Sequence, residues 1–220
     1  VMGMAERKRV SNYVQHYILN HDAGAGVVVG ANARPNARVG TNWLATVQGD
    51  AKFNREGDAI FSKYVDYVVH VSAIADRLNQ VCRVIIYKGN GNLSQETSSS
   101  SVADIFITDG GVAGSGNLLT QPVDGQKVTV LKDVVISPPN FPSGNGTAQV
   151  GTLDNHYMPI RGRIKTNKKV LYITGSAFPQ NTIDRIQIAI IPYLNAQPGT
   201  STLDEIARAT VEITHYFVDL

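Results

Sequence analysis

Apolar and polar residues alternate along much of this chain, and runs with this period of two predict β-strands. The clearest run spans residues 59–74. Phe61, Val65 and Tyr67 fall on its predicted apolar face. Ser62 falls on the opposite, polar face. Seven further runs of this kind bring the prediction to eight main strands, the others being residues 41–49, 80–88, 127–137, 156–164, 168–175, 184–194 and 209–220. The architecture is therefore predicted to be all-β.

The connections between these strands indicate how they are arranged. Eight strands joined by alternately long and short connections predict a single two-sheet antiparallel jelly roll. The shortest connection is a tight hairpin turn predicted at Thr166 and Asn167. Four long loops rich in Gly, Ser, Asn and Pro occupy residues 89–104, 110–125, 137–152 and 195–202. Loops of this length favour a binding surface or contacts with other subunits.

The start of the chain is predicted to differ from the rest. Residues 1–40 are expected to form an N-terminal arm with a first strand or short helix over residues 12–19. Residues 41–220 are expected to form the jelly-roll domain. A short helix is predicted at residues 201–209, where Ser and Thr precede an acidic first turn.

Composition is typical of a folded globular protein. Hydrophobic residues make up 43% of the chain and charged residues only 17%, which excludes a disordered chain or a coiled coil. No apolar run approaches the roughly 20 residues that a membrane-spanning helix needs. The single cysteine, Cys82, lies in VCRVIIY, so no intramolecular disulfide can form and a buried, unreactive thiol is expected.

The net charge of +2 is too small to indicate nucleic-acid binding by itself, but basic residues are clustered. In RGRIKTNKK, residues 161–169, an extended backbone would place Arg161, Arg163 and Lys165 on one face. Like charges at strand spacing repel one another. This face is therefore expected to meet solvent and neighbouring carboxylates, the phosphates of a nucleic acid, or sulfated glycans, and these alternatives stay open.

Other basic residues extend the candidate interface. A cluster near the start of the chain is typical of a tail that binds polyanions. Lys52 and Arg55 flank Phe53, whose ring could stack on a nucleotide or pack into the core. The candidate nucleic-acid-binding residues are Arg7, Lys8, Arg9, Lys52, Arg55, Arg161, Arg163, Lys165, Lys168 and Lys169.

Motifs for enzymatic chemistry are absent from the sequence. It has no P-loop, no G-x-S-x-G nucleophile elbow, no H-E-x-x-H motif and no paired cysteines. Its five histidines lack metal-ligand spacing, and on the strands His70 and His215 are expected to be structural and hydrogen-bonded. We therefore predict no catalytic residue, no cofactor and no metal. A carbohydrate-binding β-sandwich and a cupin-like enzyme remain the alternatives from other functional classes.

Several weak motifs follow one another in a particular order. QGDAKFNREGDAI (48–60) matches Q-G-x…R-x-G-x-x-I ahead of a strand. CRVIIYKGNGN (82–92), a serine-rich loop and ADIF (103–106) match an R-V-x-I-x-Y strand followed by D-I-F. KVTVLKDVVIS (127–137) matches an x-V-L-x-D strand, and ITHYFVDL (213–220) a terminal F-x-D. In this order they resemble the capsid proteins of small circular single-stranded DNA viruses, the circovirus-like and geminivirus-like shells.

This resemblance covers about residues 10–220. It implies a capsid protein that self-assembles into a T=1 icosahedral shell of about 60 copies and encloses single-stranded DNA through its basic residues. It also implies a location in the virion, assembly in the host nucleus, and outer loops available to a host receptor or glycan. Such coats usually carry a long basic arm, whereas here only Arg7, Lys8 and Arg9 are present. Coats of satellite RNA viruses share the architecture, so RNA remains an alternative cargo.

Overall fold

The computed structural model contains two antiparallel β-sheets. It describes residues 8–22, 34–35, 38–39, 43–49, 54–73, 80–90, 105–107, 119–137, 157–177, 179–181, 185–194 and 205–220. Within these ranges there are nine strand segments: β1 (Lys8–Asp22), β2 (Arg34–Pro35), β3 (Arg38–Val39), β4 (Ala59–Ala73), β5 (Gln80–Gly89), β6 (Val128–Ile136), β7 (Tyr157–Leu171), β8 (Ile186–Leu194) and β9 (Glu205–Asp219).

The strand order is that of a jelly roll. The large sheet has the order β2-β1-β9-β4-β7 and the small sheet the order β3-β8-β5-β6. Apart from β2, the strands pair as nested partners, β1 with β9, β3 with β8, β4 with β7 and β5 with β6, and successive pairs alternate between the sheets. Rolling up one long hairpin of strands produces this nesting. The predicted all-β jelly roll is confirmed, although the nine segments do not correspond one to one with the eight predicted strands.

The core lies between the two sheets. On β4, Val65, Val69 and Val71 are fully buried, as the period of two predicts. They belong to the same apolar cluster as Ile86 and Ile188 of the small sheet. Each such side chain contributes about 1.5–3 kcal/mol through burial. The core therefore fixes which face of the large sheet is left outside.

Strand β5 is buried on both of its faces. A second apolar cluster, which includes Ile85 and Phe106, packs on the side of the small sheet that faces away from the main core. Burial of both faces explains why the apolar run of this strand is nearly continuous. Cys82 is fully buried, and burial raises the pKa of its thiol to about 12. The predicted buried thiol is confirmed.

Two of the secondary-structure elements predicted from the sequence, a strand and a helix, are wrong. Residues 43–49 form a turn and an irregular loop in place of the strand predicted over 41–49, because the buried Trp43 anchors this segment through its backbone N–H to the carbonyl of Ile186. Within the helix predicted over 201–209, the described residues belong to β9. Pairing with β1 on one side and β4 on the other overrides the local helical pattern there. Residues 12–19, left open as strand or helix, lie in β1.

The predicted hairpin at Thr166 and Asn167 is also wrong. β7 runs continuously through this point, and the register with β4 shifts from Tyr64 opposite Lys165 to Ser62 opposite Lys168. Asn167 has a φ of 41°, a conformation that asparagine tolerates better than most residues. The break in the sequence pattern therefore marks a β-bulge within one strand.

The same irregularity reverses two side chains of β4. Against β9, Lys63 is the extra residue, because Ser62 and Tyr64 face the consecutive residues Phe217 and Tyr216. Against β7, the extra residue lies on β7, because two steps along β4 face three steps from Lys165 to Lys168. Beyond the shift Ser62 is buried and Phe61 is 36% exposed. The prediction placed Phe61 on the apolar face with Val65, so it is wrong at this end of the strand. An inserted residue changes the alternation of faces, which the sequence pattern does not reveal.

The described residues contain no helix with the length and apolar character needed to span a bilayer. The four predicted long loops lie largely outside the described ranges. β1, although it falls within the predicted N-terminal region, pairs with β9 along most of its length.

Candidate nucleic-acid interface

Strand β7 lies at an edge of the large sheet and carries a row of basic residues on its outer face. Arg161, Arg163, Lys165 and Lys169 are exposed, whereas Val170 is buried. The predicted common face of the first three residues is confirmed. We call these four exposed residues the basic strip. Charged residues on an edge strand also discourage nonspecific pairing with other sheets.

Arg163 interacts with two side chains of the neighbouring strand β4, Asp66 and Tyr64. Its Nε donates to Asp66 Oδ1 at 2.5 Å and its Nη2 to Asp66 Oδ2 at 2.7 Å. Its guanidinium lies 4.1 Å from the centre of the Tyr64 ring. The hydrogen bonds to Asp66 raise the pKa of Arg163. The basic face was predicted to meet solvent and neighbouring carboxylates, phosphates, or sulfated glycans. Arg163 meets a neighbouring carboxylate.

The other three members of the basic strip face uncharged neighbours. Arg161 is opposite Val68, Lys165 is opposite Tyr64 and Lys169 is opposite Phe61. Across the described ranges, no carboxylate forms a salt bridge with any of these three side chains. Three exposed cations therefore lie along one strand edge without a described counter-charge, which is the arrangement that a polyanion would neutralise.

Aromatic side chains lie beside the strip on the same face. Tyr64 and Tyr216 stack with their ring centres 4.4 Å apart at 30°. They are cross-strand partners on β4 and β9. Arg163 contacts the same Tyr64 ring, so a short row of stacked groups crosses the sheet. Phe61 lies further along β4, next to Lys169.

Arg55 is not part of this surface. Its side chain is fully buried and lies 4.5 Å from the centre of the Tyr172 ring. It donates hydrogen bonds to the backbone carbonyls of Thr46, at 3.3 Å, and Ser176, at 2.7 Å. The predicted contact between Arg55 and nucleic acid is wrong, because no part of this side chain reaches solvent. Arg55 thereby links the described residues 43–49 and 54–58 to the segment that follows β7.

The remaining candidate residues are less closely associated. Arg7, Lys52 and the neighbouring Phe53 lie outside the described residues. Lys8 and Arg9 begin β1, where they pair with Val218 and Phe217 of β9. Lys168 lies at the bulge, half-buried, opposite Ser62. Among the candidates whose side chains the structure describes, Arg161, Arg163, Lys165 and Lys169 are therefore the ones brought together on one exposed face.

His215 forms a buried polar chain beneath the bulge. Its Nε2 lies 2.8 Å from Ser62 Oγ, which in turn lies 2.7 Å from Thr166 Oγ1. Its Nδ1 lies 3.4 Å from Thr46 Oγ1. The predicted hydrogen-bonded, structural histidine is confirmed. Burial lowers the pKa of His215 to about 3, so the ring stays neutral in the folded protein at neutral pH.

Replacing His215 with glutamine is expected to make the free energy of unfolding depend less on pH between pH 7 and pH 4. An unfolded histidine binds a proton below about pH 6.5, whereas folded His215 does not until about pH 3. The unfolded state therefore binds more protons in this window. The free energy of unfolding consequently decreases by up to about 1.4 kcal/mol for each unit by which the pH is lowered. Urea denaturation between pH 7 and pH 4 measures this slope. The exposed His16, changed to glutamine, serves as the control and should keep it; parallel profiles for parent and His215→Gln would contradict the expectation.

The described part of the chain contains no candidate metal site. No set of three or more His, Cys, Asp or Glu side chains there is placed to hold a metal ion. His70 is half-buried, and its Nε2 lies 3.9 Å from Glu212 Oε1. The expectation that the protein needs no metal stays a prediction.

Comparisons with known proteins give weak structural similarity only. No protein-family model matches the sequence and no curated protein matches it. Among solved structures, the chain is similar to Merkel cell polyomavirus VP1 in complex with GD1a oligosaccharide, at 11% identity and a TM-score of 0.35, covering 99% of this chain and 97% of that one. It is also similar to Trichodysplasia spinulosa-associated polyomavirus VP1 in complex with sialylated precision glycooligomers, at 11% identity and a TM-score of 0.34, covering 96% of each chain. These values do not assign the chain to a family, and the jelly roll is established by its strand order.

Sequence reasoning missed the partners of the basic strip. The polar face of residues 59–74 was visible in the sequence, including Asp66 and Tyr64. Their position opposite Arg163 and Lys165 depends on the pairing of β4 with β7, which are almost a hundred residues apart. Phe61 was assigned to the wrong face because the extra residue Lys63 could not be recognised. No local signal identifies either feature.

Proposed function

We propose that this chain is a viral capsid protein that assembles with copies of itself into a small icosahedral shell around a single-stranded DNA genome. The observation that carries the proposal is the combination of a complete jelly-roll strand order with exposed, uncompensated cations on the outside of one sheet. Jelly rolls also occur in lectins and cupins, so the fold does not choose among these functions. The basic strip and the sequence resemblance to coats of small circular DNA viruses favour the capsid.

In an assembled shell, the basic strip would be repeated in every subunit and would face the genome. In a closed symmetric shell every surface of the subunit recurs many times, and several modest contacts per subunit combine into a stable particle. Arg161, Lys165 and Lys169 would then form a repeated cationic surface on the inner side of the shell. Phosphates of the genome would neutralise it without reading the base sequence. The protein would accordingly be located in the virion, with assembly in the nucleus if the cargo is DNA.

We also propose that the protein has no catalytic activity. His215 and Ser62, the pair whose spacing resembles a general base with a hydroxyl, are both fully buried in the core. No substrate can reach them in the folded protein. Their role is to satisfy each other's hydrogen bonds where the bulge brings Ser62 inside.

Electron microscopy of the purified protein tests the proposal directly. Negative staining, together with light scattering, should show uniform hollow particles whose size is independent of preparation. A stable monomer or dimer under salt conditions that promote shell formation would contradict the capsid assignment. In that case specific binding to a glycan array would favour the lectin alternative.

Removing three charges from the basic strip should reduce nucleic-acid binding without unfolding the protein. In the variant Arg161→Gln, Lys165→Gln, Lys169→Gln, three phosphate contacts are lost, so the slope of log affinity against log salt should fall by about 2 for a single strand. Titration with an oligonucleotide at several salt concentrations measures this. The absorbance ratio of purified particles should also fall toward that of pure protein.

A charge-matched control separates position from net charge. Lys88, Lys127 and Lys132 lie on or beside the small sheet, and changing all three to glutamine removes the same charge. The control should keep most of the salt dependence. Equal losses in both variants would show that only net charge matters, and the strip would not be the interface.

A further inference from the structure

We infer that the outer face of the large sheet binds single strands by base stacking as well as by phosphate contact, and that Phe61 is the stacking residue. This inference rests on the proposed function, since it specifies how the same surface holds its cargo. The partner that fits is a nucleic acid with unpaired bases. A duplex fits less well, because its base faces are covered.

The geometry pairs each of two lysines with an aromatic ring. Lys165 is directly opposite Tyr64, and Lys169 is directly opposite Phe61. Directly opposed side chains in an antiparallel pair have Cβ atoms about 4.5–5.5 Å apart. A cation and a ring therefore lie side by side at two places along the strip. Proteins that bind single strands combine a positively charged surface with aromatic side chains in this way.

Phe61 is the ring best placed to accept a base. Tyr64 is already stacked with Tyr216, and the Arg163 guanidinium lies 4.1 Å from the same ring. Phe61 is 36% exposed and makes no ring contact with the other described aromatic residues. Leu171, 41% exposed, lies diagonally across from it and extends the apolar surface around the ring.

The bulge supports this assignment, because it places Phe61 on the outer face beside the basic strip. Regular alternation from Val65 would have buried the Phe61 side chain and exposed Ser62. The irregularity at Lys63 does the opposite. Bulges commonly re-aim a side chain beside a functional site. The same shift buries Ile60 completely, so the core keeps an apolar side chain while Phe61 becomes available on the outer face.

A second copy of the chain is a less suitable occupant of this surface. Lys169 stands directly beside Phe61, and a protein surface that covered the ring would have to desolvate that charge. A single strand brings a phosphate for the lysine and a base for the ring together. Charge complementarity therefore favours nucleic acid at this position.

The test compares Phe61→Leu with the parent on three probes: an oligo(dT) strand, an abasic strand of the same length, and heparin. Leucine keeps apolar bulk but has no π-face, so affinity for oligo(dT) should fall about tenfold. Affinity for the abasic strand and for heparin should stay unchanged. Val135→Ala, an exposed apolar position on the small sheet, is the matched control and should change none of the three.

A second variant keeps the test independent of any folding defect. Phe61→Trp should retain binding, and its exposed indole should be quenched by oligo(dT) but not by the abasic strand. Equal losses on oligo(dT) and abasic strands for Phe61→Leu would overturn the inference, as would an absence of effect on both. Loss of particles with unchanged oligonucleotide binding would also overturn it and assign Phe61 to a subunit contact.

Particle formation, followed on the same preparations, separates this inference from the proposed function. Normal particles with no effect of Phe61→Leu on oligo(dT) binding would overturn the stacking role and leave the capsid assignment intact. Stacking-dependent binding by a protein that never assembles would overturn the capsid assignment and support the stacking role.

Discussion

Replacing Arg55 with methionine is expected to lower the free energy of unfolding by about 3–5 kcal/mol, because the hydrogen bonds of the buried guanidinium and its salt bridge with Asp58 are lost. Methionine fills a similar volume but donates no hydrogen bond. The segment after β7 would then keep its other bonds to the residues before β4, such as that from Tyr172 N–H to the Asp58 carbonyl, but would lose the buried link that Arg55 provides. The backbone carbonyls that lose a donor are those of Thr46, Gly57, Ile173 and Ser176.

Urea denaturation followed by circular dichroism measures this loss, with Arg161→Met as the matched control. Arg161 is exposed, so the same substitution there should change stability by no more than about 0.5 kcal/mol. Equal stability of the two variants would contradict the structural role of Arg55. Weaker oligonucleotide binding by a fully stable Arg55→Met would return this residue to the nucleic-acid interface.

Replacing Gly162 with alanine is expected to destabilise the fold by about 1–3 kcal/mol through overpacking. Gly162 is the cross-strand partner of Tyr67. A Cβ atom at position 162 would lie 2.4 Å from Tyr67 Oη and 2.6 Å from its Cζ. Tyr67 is only 6% exposed and packs against Trp43 with ring centres 5.2 Å apart, so the ring cannot move aside without disturbing the core.

A double-mutant cycle identifies the clash as the cause. Tyr67→Leu removes the ring that meets the new Cβ, so Gly162→Ala should cost clearly less in that background, with a coupling energy of about 1 kcal/mol or more. Gly125→Ala is the control, since nothing lies within 4 Å of its Cβ position. Additive effects of the two changes would mean that the loss at Gly162 comes from the backbone and not from the tyrosine.

The sequence predicted those features that depend on near neighbours in the chain. Alternation on β4 placed Val65, Tyr67 and Val69 in the core correctly, because the period of a strand is a local property. The common face of Arg161 and Lys165 was predictable for the same reason. Long-range pairing decided the rest. The helical pattern at 201–209 gave way to β9, which is hydrogen-bonded to strands on both sides.

The candidate site also combines features set by near neighbours in the chain with features set by long-range pairing. Which of the basic residues has a carboxylate partner depends on Asp66 lying opposite Arg163, a consequence of register. Arg55 looked like a surface cation because its acceptors come partly from Ile173 and Ser176, over a hundred residues later. A buried arginine is unusual enough that no composition argument would predict it.

The extra residue Lys63, unmatched on β9, couples the two faces of the large sheet. The bulge that accommodates it turns Ser62 inward, where it meets His215, and Phe61 outward, beside Lys169. A change that straightened the strand at its present length would turn both side chains over at once. The interior and the outer face therefore cannot be altered separately at this point, and we expect the irregular pairing to persist while the side chains around it vary.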